Sequence, residues 1–380
     1  MPANGLSSIT PAPRRFQEMI PLSEPRKARL AFVGCGGFTN ASIFPCFPMV
    51  PRAEVVAVCD IIEEKARAAS RLFNACPVYT DMDRMLDEIE VDGVFAIGPA
   101  PTQYEVAPRI LKRGIPVYVE KPSANTSVEA LLMVKVAEDA GTWGQVGFMK
   151  RFAPSYQMAR AIMHKPEFGQ LNMVNCKFGQ GPYPQIWGID SAQRAFLIGQ
   201  CCHLMDLIRH FGGDVATVQT ICREAPQNPD DRHVSTRISY LTNVTFQSGA
   251  IGQLNLNCME AKHGFRDLDE RLELVSMENI VTVHRMCHVT WRKADDWDDT
   301  LPLTGWYSLE HDARGLGVWT AHRQIGYVGE VEHFALRCLG EVDQGVSGDL
   351  MDSVKSLQIG EAIYESAHNG GKVVEVKQGA

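Results

Sequence analysis

From Arg29 to Gly147, short and nearly unbroken apolar runs alternate with amphipathic ones, and no other feature of the sequence limits the fold so strongly. Positions 30–33, 54–59, 78–79, 93–97, 116–119 and 143–147 read as strands. Positions 40–49, 63–73, 82–89, 106–113 and 128–140 read as the helices between them, with Pro45 and Pro48 as irregularities in the first. Gly114 and Gly141 close the last two helices, since glycine takes the left-handed backbone that ends a helix. A strand without a polar side has to be covered on both faces. Repeated strand–helix alternation therefore specifies a doubly wound parallel α/β sheet, in which ligands bind beyond the carboxyl ends of the strands.

Beyond Phe152 the pattern changes. Helices are expected over 156–163, 192–211, 330–339 and 350–367. Strands are expected over 172–178, 218–222, 234–240, 243–246, 251–258, 272–277 and 280–284, with a turn at 247–249. This is the pattern of an α+β domain with an open, mainly antiparallel sheet and helices on one face. Positions 289–326, mixed in charge and rich in Trp and Gly, read as a loop. The expected division is a flexible arm over 1–28, a nucleotide-binding domain over 29–146 and a substrate-binding and oligomerisation domain over 147–380, which suits a chain of 380 residues.

Composition excludes more than it selects. A formal net charge of -8 argues against a nucleic-acid surface, which needs clustered Lys and Arg. No segment approaches the ~20 apolar residues of a membrane span, and the first 28 residues lack the apolar run of a signal peptide. Eleven cysteines with no C-x-x-C pair point to reduced, mostly buried thiols in a cytoplasmic protein. No acid–histidine cluster accompanies His284 and His288, so no metal is expected.

Three constellations carry chemistry. The first is Gly34-Cys35-Gly36-Gly37-Phe38-Thr39 at the end of the first strand. A glycine turn followed by a helix lets backbone N–H groups approach a pyrophosphate. Asp60 ends the second strand, 24 positions past Gly36. A carboxylate there accepts the ribose hydroxyls and repels a 2′-phosphate, which favours NAD over NADP; its other reading is a helix cap. The second is Glu120-Lys121-Pro122 after the fifth strand, where a lysine can steer a substrate hydroxyl or simply join a strand-end salt bridge. The third is His203, three residues before Asp206 on one helix face: a proton acceptor near neutrality, or a buried helix histidine held by the acid.

Taken together and in this order, these motifs resemble the glucose–fructose oxidoreductase/inositol dehydrogenase/rhizopine-catabolism family, from about Arg29 to Val376. VEKPSA at 119–124, GFMKRF at 147–152, GQCCHLMDLIRHFGG at 199–213 and AIYESAHNGGKVVEV near the end carry the resemblance. It implies a Rossmann domain, a C-terminal open sheet that makes dimer or tetramer contacts, and oxidation or reduction of one hydroxyl carbon of a sugar or polyol. It assigns Lys121 to the reacting hydroxyl and His203 to its proton. Gly34, Gly36, Gly37, Phe38, Asp60, Pro99, Gln103, Glu120, Lys121 and Met149 are the expected cofactor contacts. Arg151, Tyr183, Trp187 and Asp206 are the expected substrate contacts, and the loops at 180–192, 259–270 and 289–326 are expected to set specificity. The chain departs from the family at Gly199, often an Asp, at Gln103, often a His, and at Thr39, where a third glycine is usual. Two other readings of the resemblance are a glycoside-cleaving enzyme that oxidises only transiently and a dinucleotide-binding regulator without turnover.

Overall fold

The computed structural model describes residues 25–226, 235–260, 269–293 and 318–377, with side chains of the last stretch from 321 onward. The first half winds one sheet. Strands β1 (Ala28–Val33), β2 (Ala53–Cys59), β3 (Val78–Tyr79), β4 (Gly93–Ala96), β5 (Val117–Val119) and β6 (Gly144–Val146) alternate with helices α1 (Glu63–Ser70), α2 (Met82–Glu88), α3 (Ala100–Leu111) and α4 (Ser127–Asp139). All these strands pair in parallel in the order β6-β5-β4-β1-β2-β3. Every residue of β4, β5 and β6 is buried, as their apolar composition requires of a sheet covered on both sides. The expected first crossover helix is instead a π-turn over Thr39–Ile43 running into a 3-10 helix over Phe44–Met49. Pro45 and Pro48 have no N–H to donate, so an α-ladder cannot run through them.

The second half begins with α5 (Pro154–Met163) and crosses to an eight-stranded sheet. It uses β7 (Leu171–Gly179), then β9 (Val215–Glu224), β11 (Ile238–Phe246), β12 (Ile251–Asn257), β13 (Asp269–Ser276), β14 (Asn279–His284) and β15 (His288–Lys293). A short ribbon, β8 (Tyr183–Pro184) with β10 (Ser235–Thr236), stands beside it. Between β8 and β9 the chain forms α6 (Ala192–Ala195), a π-turn over Phe196–Cys201 and α7 (Cys202–Gly212). The closing helices are α8 (Val318–Ile325), α9 (Tyr327–Cys338) and α10 (Leu350–His368). Two short strands, β16 (Gly348–Asp349) and β17 (Val374–Glu375), complete the two sheets. Only β7 and β12 pair in parallel in the second sheet, whose order is β15-β14-β13-β7-β12-β11-β9-β17. Its strands alternate buried and solvent-facing residues, so one face packs on α5, α7 and α10 and the other stays open.

Two sequence expectations change here. Positions 234–240 and 243–246 are not two strands: β11 runs unbroken over Ile238–Phe246, and Ser235–Thr236 leaves it to pair with β8. The loop expected over 289–326 contains β15 and α8. Val289 and Trp291 face inward from β15, opposite Val283 and Val281, while Thr290 between them and Arg292 after them are more exposed. Mixed charge had hidden a two-residue alternation. The arm over 1–24 and positions 294–317 lie outside the described residues.

Both sheets are joined through the end of the chain. β16 adds antiparallel to β6, and Phe334 of α9 packs edge-on against Phe95 of β4 at 4.9 Å. Phe95 stacks in turn on Phe32 at 4.7 Å, and Tyr118 lies 4.7 Å from it on the other side. Each such ring removed from water stabilises by roughly 1.5–3 kcal/mol, and edge-to-face pairing adds to that.

Candidate active site

The site begins at the end of β1. Gly34 has φ +99°, and a Cβ there would lie 1.9 Å from the Ile97 carbonyl oxygen, so only glycine lets the turn pass this close to β4. Gly36 and Gly37 differ: nothing lies within 4 Å of either Cβ position. That open cradle beside backbone N–H groups has the form a pyrophosphate needs, and the turn therefore fits a dinucleotide. Thr39, at the third glycine position, donates its hydroxyl to the Gly34 carbonyl at 2.9 Å. Asn40 ties down the carbonyls of Cys35 and Gly36, both at 2.8 Å. Asp60 accepts the Cys35 N–H at 2.8 Å through one oxygen and the Ile62 N–H at 2.9 Å through the other. It thus braces the turn and the residue before α1 and is not that helix's cap, which is Ile62 with no side-chain bond, and each oxygen retains a second lone pair for a ribose hydroxyl. Phe38 is exposed beside the turn with its ring edge-on to Tyr327, and Pro99 caps α3 after the end of β4.

The carboxyl end of β5 is held from below. Gln103, fully buried, donates to the carbonyls of Glu120 and Pro122 at 2.9 and 3.0 Å and accepts the Glu120 N–H at 2.6 Å. Its amide fixes the Glu120–Pro122 turn from which Lys121 projects. The Tyr118 hydroxyl lies 2.9 Å from Glu120 Oε1 and 2.8 Å from Glu330 Oε1. One hydroxyl proton cannot serve two carboxylates, so one of the two carboxyls is itself protonated. Burial pushes Glu120 up from 4.5 to about 7, and burial together with the Glu120 charge pushes Glu330 well above its ordinary value. Sequence reasoning missed Tyr118 and Glu330. Glu330 lies far along the chain on a helix with no motif, and nothing local marks it.

Lys121 reaches across the seam between the sheets. Its Nζ donates to the Gly199 carbonyl at 3.2 Å. Gly199 lies in the π-turn over Phe196–Cys201, a wide turn of the kind that frequents functional sites. His203 sits one turn on in α7 and is buried, and its Nδ1 has no hydrogen-bond partner among the described residues. Burial, then the charges of Lys121 and Lys150, hold its pKa well below the ordinary value. The imidazole is therefore neutral and able to accept a proton.

The expected substrate side chains go two ways. Arg151 and Asp206 meet each other: Arg151 Nε and Nη2 bind the two Asp206 oxygens at 2.8 and 2.5 Å, and Nη1 reaches Asp352 at 3.1 Å. Asp352 in turn accepts from Arg209 at 3.0 Å. Lys150 is buried too, paired with Glu270. Met149 is buried in the short helix after β6. Tyr183 and Trp187 stay at the seam, and the Trp187 carbonyl accepts the Asn125 side chain at 2.9 Å, tying their loop to the Glu120–Pro122 region.

A glycine turn shaped for a dinucleotide, together with a lysine after β5 that reaches Gly199 and a neutral histidine one turn on in α7, defines a class: NAD-binding oxidoreductases in which a second domain completes the site. Residues 28–148 match the oxidoreductase family with an NAD-binding Rossmann fold, and residues 156–280 match the GFO/IDH/MocA C-terminal domain. Inositol 2-dehydrogenase 2 of Saccharopolyspora erythraea is 30% identical over 268 residues, which are 69% of this chain and 75% of that one. D-apiose dehydrogenase of Paraburkholderia graminis is 25% identical over 91% of this chain and 89% of its own length. A dehydrogenase structure from Chromobacterium violaceum superposes with a TM-score of 0.78 at 22% identity, covering 91% of this chain and 97% of its own. The chain belongs to the GFO/IDH/MocA family of NAD-binding oxidoreductases.

Proposed function

We propose that this protein oxidises or reduces one hydroxyl-bearing carbon of a sugar or cyclic polyol with NAD. The observation that carries the reading is the approach of Lys121 to Gly199, one turn before His203. Gly34, Gly36, Gly37 and Asp60 would hold the dinucleotide, with Phe38, Pro99 and Met149 beside it. Bound there, the nicotinamide would supply the redox chemistry, as acceptor or donor of the hydride exchanged with the carbon. The chain's own residues orient and neutralise. Lys121 donates to the substrate oxygen and stabilises the negative charge it gains; neutral His203 takes the hydroxyl proton. Gln103 and Glu120 act at one remove by fixing the turn that carries Lys121. Asp60 favours NAD, because a 2′-phosphate would meet its charge. The names of the relatives, inositol and D-apiose dehydrogenases, support the substrate class.

The cytoplasm is the compartment this reading fits. No cysteine is in a disulfide and ten of the eleven are buried or half-buried, as suits a reducing environment. No helix among the described residues is long and apolar enough to cross a membrane. Copies of the chain pair through the open face of the second sheet, where Ile221 and Leu241 stand exposed side by side.

The test follows nicotinamide absorbance with NAD, then NADP, across a panel of inositols, aldoses and glycosides, with Lys121→Ala alongside. The expected result is reduction of NAD with one substrate class, falling about 100-fold or more in the variant. Tight NADH binding with no turnover on any substrate would overturn the reading.

A further inference from the structure

Tyr183 occupies the seam between the sheets. Its ring packs against the core of the second sheet and against one core of the first, and it lies 5.7 Å from the Phe196 ring. Its backbone is pinned by pairing with Thr236, whose hydroxyl is anchored on Glu224 at 2.8 Å. Four residues on, Trp187 is tied to Asn125. A side chain held from both ends points its hydroxyl at Gly199. A Cβ on Gly199 would come within 2.5 Å of the Tyr183 hydroxyl oxygen and 3.4 Å of the ring carbon that bears it. Gly199 is not among the glycines with positive φ, so its backbone does not call for glycine; the tyrosine hydroxyl does.

The same glycine receives Lys121 on its carbonyl at 3.2 Å. An ammonium and a phenol thus converge on one residue from two sides, and His203 follows one turn later. The Tyr183 hydroxyl makes no hydrogen bond to any described residue, so it is available to a ligand. Burial also raises its pKa, which keeps the phenol protonated. Two donors and one acceptor complement a secondary alcohol, whose oxygen offers two lone pairs and one proton. The carbonyl that replaces it offers two lone pairs and no proton, which the two donors still match.

We propose that the Tyr183 hydroxyl is a catalytic group that, with the Lys121 ammonium, donates to the oxygen of the reacting carbon as that oxygen gains negative charge. Both donors keep their own protons; the alcohol proton goes to His203, its O–H electron pair becomes the second bond of the carbonyl, and the C–H pair leaves as the hydride that the bound dinucleotide of the proposed reaction would accept. This role rests on the proposed dehydrogenase reading of the same site.

Three variants test it: Tyr183→Phe, Gly199→Ala and the two combined. The first readout is thermal unfolding without cofactor. Gly199→Ala lowers the midpoint in the parent chain and much less in the Tyr183→Phe background, because the hydroxyl it would strike is gone. Equal losses in both backgrounds would place the hydroxyl elsewhere and overturn the proposal. The second readout is turnover of whichever panel substrate reduces NAD fastest. Tyr183→Phe lowers kcat about 100-fold, the scale seen when one donor to a developing oxyanion is removed, with KM for NAD and the unfolding midpoint unchanged. An active parent with an unaffected Tyr183→Phe variant overturns the role of Tyr183 alone. A parent that turns over nothing in the panel overturns that role together with the dehydrogenase reading.

Discussion

At the scale of single residues, the glycine turn makes the sharpest demand. Gly34 combines a φ of +99° with a Cβ position 1.9 Å from a carbonyl oxygen. Replacing it with alanine imposes both left-handed strain and a collision, so Gly34→Ala should cost about 3 kcal/mol or more. Urea denaturation measures the loss, and NAD binding should go with it. Glu120 makes a prediction in pH. Its folded pKa of about 7 lies above the ordinary 4.5 because burial favours the neutral carboxyl. The stability this confers is fully present below about pH 4.5 and is lost as pH rises towards about 7, at up to about 1.4 kcal/mol per pH unit. Lys121, Tyr118 and Glu330 face the same carboxyl. Denaturation at a series of pH values should show this fall in the parent chain and a flatter curve in Glu120→Gln; identical slopes would count against it. Gly34 and Asp60 stood out in the sequence because the glycine turn and the acid 24 positions past Gly36 share one strand–turn–helix unit, whereas spacing left Lys121 and His203 open and only the resemblance gave them a role. Glu330 did not stand out, since its only mark is a tyrosine hydroxyl that lies 212 positions away.

At the scale of elements, the buried ion pairs stand out. Arg151, from the short helix after β6, joins α7 through Asp206 and α10 through Asp352, and Arg209 closes the network. The segment GFMKRF thus acts as a joint between elements. Arg151→Met leaves Asp206 and Asp352 with one fewer buried cation, and loss of one partner from a buried pair costs about 3–5 kcal/mol. The variant's urea midpoint should fall accordingly, whereas a directly substrate-binding arginine would raise KM and leave the midpoint in place. Strand and helix existence was largely readable, because hydrophobic period distinguishes a strand from a helix. Where reading failed, at β15 and the break before β11, the deciding factor was a partner strand: Val289 and Trp291 acquire an inside only when Val283 and Val281 lie opposite them.

At the scale of the whole molecule, the open face of the second sheet is the surface left over once α5, α7 and α10 have covered the other. Ile221 of β9 and Leu241 of β11 are directly opposed on it, 63% and 49% exposed. The proposed pairing of copies through this face rests on them. Leu241→Lys should shift the light-scattering mass from an oligomer to a monomer without changing the unfolding midpoint of the monomer; an unchanged mass would move the contact elsewhere.

What the sequence determined by itself was local. Period specified a parallel sheet followed by a mainly antiparallel one, and the glycine turn with Asp60 specified a dinucleotide site at strand ends. What only the tertiary structure decided was distant pairing. Gly348–Asp349 returns to the edge of β6, Phe334 packs on Phe95, and Tyr183 meets Gly199 beside Lys121. The physical reason is that backbone propensity and hydrophobic period act over one or two turns of chain. A contact between remote residues depends instead on how whole elements pack, and no short stretch of sequence encodes that.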